Sequence, residues 1–127
     1  QDESKTTRGE KATTSLQARN LAMNTVNARF TVGEVVHHLL FDYRGVVFDA
    51  DACFAGTDAW YDQVAKSRPP KDQPWYHLLV DGASHTTYVA ERHLEKDPDV
   101  RPVNHVLVSE MFERFENGVY VPKMAAN

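Results

Sequence analysis

The sequence predicts a mainly β domain: a small barrel of about five antiparallel strands with one short helical insertion. Three observations lead there. Short apolar or alternating runs at residues 34–40, 46–51, 74–81, 85–91 and 119–122 are separated by glycine-bearing turns. Neither an internal repeat nor a βαβ alternation is visible. Strands this short leave exposed edges when they stand alone, and curling into a barrel hides them.

Residues 1–14 are polar, with Thr, Lys and Gly9, and read as a disordered arm. Leu16, Leu21 and Met23 behind a capping Ser15 outline a short helix, interrupted by Asn20, Asn24 and Asn27. The domain proper is expected over 30–122, between an arm of 1–29 and a tail of 123–127. Gly33 marks a turn, and residues 34–40 alternate Val35, His37 and Leu39 against Val36, His38 and Leu40. The stretch 41–51 reads as a strand end, a bend at Tyr43-Arg44-Gly45 and a second strand. Val46, Phe48 and Ala50 are expected on one face of it, and Val47, Asp49 and Asp51 on the other. Gly45 stands where the chain needs positive φ or a close backbone approach. Burying Val46 and Phe48 contributes roughly 1.5–3 kcal/mol each.

From Ala52 to Asp72 the β pattern stops. Thr57 or Asp58 caps a single helix with Trp60, Tyr61 and Val64, which Arg68-Pro69-Pro70 ends. Long insertions of this kind are frequent partner sites. The nearly unbroken run Trp75-Tyr76-His77-Leu78-Leu79-Val80 implies a strand buried on both faces, hence a central one. A turn at Gly82-Ala83-Ser84 returns the chain as an antiparallel partner at 85–91. A loop follows at 96–102, then a helical turn within 106–115 that packs Met111, Phe112 and Phe115 inward. Asn117-Gly118 leads into an edge strand stopped by Pro122.

At 127 residues the chain is one domain with a core large enough to fold unaided. The apolar runs are far too short to span a bilayer, and no charged segment followed by an apolar core opens the chain, so neither a membrane nor a signal peptide is expected. Cys53 is the lone cysteine, which excludes an internal disulfide. The formal charge of −4 divides into +2 over residues 1–29 and −6 over 30–127, a poor balance for neutralising phosphates.

Motifs for catalysis are missing. His37 and His38 point to opposite faces of a strand and cannot chelate one metal together. His77, His85, His93 and His105 lack HxH or HExxH spacing. Asp49, Asp51 and Asp58 fail as a calcium loop, because Phe54 and Trp60 occupy the positions that require Gly and Glu. Asp49 and Asp51 are therefore expected on a solvated strand face or capping a turn. No nucleotide-binding glycine pattern and no Ser/His/Asp signature occurs, so no cofactor, metal or catalytic residue is expected. An enzyme using Asp49, Asp51 or His77 is the weakest reading. The unusual feature is aromatic density. Phe54, Trp60, Tyr61, Trp75 and Tyr76, with Phe48 and Tyr88, are ordinarily core, but Phe54, Trp60, Tyr61, Trp75 and Tyr76 are also the candidates for a partner-binding groove. Lys66, Arg68 and Lys71 beside Pro69-Pro70 are the clustered cations, ordinarily a solubility feature.

Four phrases stand in order: Phe30-Thr31-Val32-Gly33-Glu34-Val35-Val36-His37, Tyr43-Arg44-Gly45-Val46-Val47-Phe48-Asp49-Ala50-Asp51, Pro74-Trp75-Tyr76-His77-Leu78-Leu79-Val80 and Tyr88-Val89-Ala90-Glu91-Arg92-His93-Leu94. Glu110-Met111-Phe112 and Gly118-Val119-Tyr120 extend them. Together they resemble the YccV-like family, the bacterial HspQ heat-shock proteins, also labelled hemimethylated-DNA-binding proteins. The resemblance implies an SH3-like barrel, a cytoplasmic location and a homo-oligomer. It offers two roles: an accessory factor of the ATP-dependent Lon-type protease and its protein clients, or a hemimethylated-DNA-binding protein in replication-initiation control. The first suits the acidic, aromatic-rich domain. The second requires Arg44, Lys66, Arg68, Lys71 and Arg92 to gather on one face.

Overall fold

The computed structural model describes residues 28–99 and 101–123. The helix expected after Ser15 lies outside them. Among the described residues seven strands are found where five were expected: β1 (Val35–His38), β2 (Arg44–Asp51), β3 (Trp75–Val80), β4 (Thr86–Ala90), β5 (Leu94–Lys96), β6 (Phe112–Glu116) and β7 (Val119–Pro122). Helix α1 (Asp58–Val64) lies between β2 and β3, and the short α2 (Val108–Met111) precedes β6. β1 to β5 form one antiparallel sheet in the order β4-β3-β2-β1-β5, and β6 pairs with β7. No pairing between β4 and β5 closes the sheet among the described residues.

Both faces of the sheet are covered. Phe30, Val36, Val47, Tyr76, Leu78, Val89 and Leu94 form a core on one side, drawing on all five strands. Val35, Val46 and Leu79 pack on the other side against Val103, Phe112 and Tyr120, which the β6–β7 hairpin and the loop before it supply. The apolar run of β3 is buried on both faces as expected, though β2 is the middle strand. Gly45 meets the need for close approach: a Cβ there would lie 2.7 Å from the Leu79 carbonyl oxygen across the sheet.

Three elements depart from the sequence reading. The first strand ends at His38, two residues early. Its Nδ1 accepts the N–H groups of Leu40 and Phe41, both at 3.1 Å, which turns the chain out of the ladder. The second departure lies in β2. Register slips between Val47 and Asp49, so Phe48 is an extra, bulged residue opposite β3. The bulge breaks the period of two: Val47 and Ala50 share one core, whereas Phe48 stays with Val46 in the other. Third, the expected helical turn within 106–115 is only α2, and Phe112–Glu116 is a strand with a bulge of its own between Phe112 and Arg114.

Candidate binding groove

Thr57 caps α1, its hydroxyl oxygen accepting from the Trp60 N–H at 3.1 Å. The insertion is then pinned from below. Tyr61 Oη donates to the Pro69 carbonyl at 2.6 Å, and Trp75 Nε1 donates to that of Pro70 at 3.0 Å. Tyr61, Ala65, Trp75 and Ala90 bury one another there, with Phe54, Trp60 and Tyr88 packed around them. The hairpin turn after β1 rises opposite this insertion, with Tyr43 Oη and Thr87 Oγ1 2.8 Å apart and His38 stacked on Phe41.

Between them runs a groove of about 590 Å³. Trp60 and Val64 form one wall, Leu40 and Phe41 the other, and β4 the floor. Every residue of β4 lines it, from both faces of the strand, so the groove straddles the outer edge of the sheet. Its lips are apolar and wet: Phe41 is 73% exposed, Leu40 58% and Val64 51%. Apolar side chains in that position stay exposed at a cost that a partner would relieve.

His38 supports one lip. Burial lowers its pKa to about 4, and neighbouring His93 and His37 push the same way. The unfolded chain therefore takes up this proton more readily than the folded one. Stability contributed by neutral His38 is whole above pH 6.5 and is lost as pH falls towards 4, roughly 1–3 kcal/mol in all. His37 shifts oppositely, raised chiefly by its hydrogen bond to Asp42, so its contribution is present below pH 6.5 and fades as pH rises. Unfolding midpoints measured from pH 7 to 4 should fall less steeply in His38→Gln than in the parent. Identical slopes would contradict the assignment.

Asp51, expected on a solvated face, is buried. Tyr88 Oη donates to its Oδ2 at 2.8 Å, and His77 Nε2 lies 3.2 Å from the same oxygen. Both sides of β2 are covered, so neither is open to solvent; the Phe48 bulge decides which side, turning Asp49 and Asp51 to that of Val46 and Phe48, where His77 and Tyr88 meet Asp51. One ligand atom each of Asp49, Asp51 and His77 lies within 4.8 Å of the others, a donor set able to hold a divalent ion.

Of the five candidate cations, Lys66, Arg68 and Lys71 lie within residues 66–71 and Arg92 bonds to that segment, whereas Arg44 is set apart from them. Arg44 is buried, bonded to Asp97 at 2.7 Å and Asp81 at 3.1 Å and to the Pro102 and Arg101 carbonyls. Burial opposes its charge, but the hydrogen bonds to Asp97 and Asp81 outweigh burial and raise its pKa. Arg68 pairs with Asp62 and Lys71 with Asp58, at 2.7 and 2.8 Å, both against the Tyr61 ring. Arg92 Nη2 donates to the Ser67 carbonyl, next to Lys66 at one end of the groove. Among the aromatic candidates, Trp60 and Trp75 line the groove. Phe54 and Tyr61 pack behind them, and Tyr76 is in the core, its Oη donating to Glu91 at 2.6 Å. Sequence reasoning missed the Leu40-Phe41 lip. Its signal was three successive apolar residues, 39–41, at the end of an alternating strand.

Among the described residues no helix is long and apolar enough to cross a membrane. The family model described as hemimethylated DNA-binding protein YccV like matches residues 28–119, from the first described residue into β7. The chain belongs to the YccV-like family.

Proposed function

We propose that this protein works by binding, without a reaction of its own, as a stress-response accessory of Lon-type, ATP-dependent proteolysis that holds apolar segments of protein partners in the groove. The open apolar groove, its lips held out in water, is the observation that supports the reading. Val89 of β4 and Leu94 of β5 meet in one core, which supports reading the curled sheet as an SH3-like barrel. A cytoplasmic location and self-association belong to the same proposal.

A second reading, hemimethylated-DNA binding in replication-initiation control, is favoured by the description of the family. One set of variants separates the two. Phe41→Asp with Val64→Asp changes the exposed lips and removes the Phe41–His38 stacking, so the melting temperature should fall only slightly while the effect on the degradation rate of a Lon-type protease client disappears. An unchanged effect would sink the groove's role. If hemimethylated duplex binds the parent instead, its log Kd should shift steeply with log salt, by about 0.9 per phosphate contacted.

A further inference from the structure

We infer that the groove takes an extended protein segment laid along the outer edge of β4, with apolar side chains between the lips and a carboxylate at the Lys66–His93 end. This rests on the proposed function and names the partner's chemistry.

Charge selects the occupant. The chain from residue 30 onward carries −6, yet no Asp or Glu lines the groove among the described residues. Its ionisable lining is Lys66, His38, His77, His93 and Tyr43 and Tyr88. Lys66 and His93 stand at the same end, joined through Ser67, whose Oγ lies 2.8 Å from His93 Nε2. Arg92 adds its charge beside them through Ser67. Burial and the neighbouring Arg92 lower the His93 pKa, so the positive charge an acidic group finds there is that of Lys66 and Arg92, while a basic segment would find no complementary charge. Lys66 and Arg92 are too few for a nucleic-acid backbone, because Arg68 and Lys71 are already engaged by Asp62 and Asp58.

Shape selects an extended chain. Glu91 N–H donates to Pro74 at 3.0 Å and His85 accepts from Val80 at 3.4 Å, so the odd-numbered residues of this segment turn their main chain towards β3. Thr86 and Ala90 turn theirs outward. Ala90 is buried against Ala65, whereas Thr86 is exposed and open to pairing. A strand joined at Thr86 would run along the groove and project alternate side chains between Phe41 and Trp60.

The test uses the full chain and three dye-labelled probes read by fluorescence anisotropy: a peptide with leucines at alternate positions and two aspartates at one end, the same peptide with lysines there, and a single-stranded oligothymidine. The acidic-ended peptide should bind about tenfold tighter than the lysine-ended one, and Lys66→Glu should remove or reverse that preference. Methylating single backbone nitrogens of the peptide should weaken binding at one or more positions. Equal affinities for both peptides, or indifference to methylation throughout, would overturn the inference. If neither peptide binds while the Phe41/Val64 variant still loses its effect on proteolysis, the inference falls and the proposed function stands. Tighter capture of the oligothymidine than of either peptide overturns both.

Discussion

Arg44→Met is expected to lower the unfolding free energy by about 3–5 kcal/mol, a large part of what a domain of this size possesses. The guanidinium reaches across from β2 to the loop after β5. It bonds Asp97, Asp81 and three main-chain carbonyls, those of Asp99, Arg101 and Pro102, and its side chain is only 10% exposed. Removing it strands the Asp97 carboxylate, itself 6% exposed, without its counter-charge. The loss spreads further, because Asp81 also accepts the Asn104 N–H at 2.7 Å and so holds the segment that carries Val103 into the second core. Lysine should restore only part of the loss, since one ammonium cannot reproduce a fork that reaches both acids and three carbonyls. Urea denaturation of the parent, Arg44→Met and Arg44→Lys measures this directly. A cost below about 1 kcal/mol for Arg44→Met would show that the network adds little beyond packing.

Gly33→Val should cost about 3 kcal/mol or more, by strain at positive φ and by forcing the two sheets apart. Gly33 has φ +100°, and a Cβ would sit 2.1 Å from the Tyr120 carbonyl oxygen. The approach is this close because Gly33 bridges the sheets. Its N–H donates to Val47 and its carbonyl accepts from Tyr120, both at 2.8 Å. Next to it, Glu34 pairs with Val119. Pushing β7 away would open the core around Tyr120 and Phe112, so the loss should register in thermal melts and in faster amide exchange of the hairpin. Gly82→Ala serves as the control. Gly82 also has positive φ, at +78°, but nothing lies within 4 Å, so only the intrinsic strain of about 1–2 kcal/mol is expected.

The legible parts of this chain were those where one local signal sufficed. The apolar run of β3, the Thr57 cap of α1, the Asn117-Gly118 turn and the insertion as a wall of the groove all belong to that class. Other features depend on distant partners. β5 is three residues, Leu94-Glu95-Lys96, and has no visible period; pairing with β1 makes it a strand. β6 hid because its bulge places Phe112 and Phe115 three apart, a helical spacing. Arg44 read as a surface cation since its acids lie 37 and 53 residues away. Half of the groove was invisible for a similar reason. The 39–41 segment joins the strand pattern in sequence and leaves it only because the His38 imidazole captures two amide hydrogens.

The inserted residue at Phe48 acts on this protein as a phase slip acts on a wave. Upstream of it the odd and even positions of β2 keep one assignment to the two covered faces; downstream the assignment is exchanged. A single-codon deletion there would leave composition and hydropathy almost untouched. It would heal the ladder, leaving Asp49, Ala50 and Asp51 opposite His77, Tyr76 and Trp75 on their present faces, with the acceptor that Tyr88 uses in place, and taking only the Phe48 side chain out of the second core. The chemistry beside the groove is thus set by the register with β3, whatever the parity of the positions along the chain.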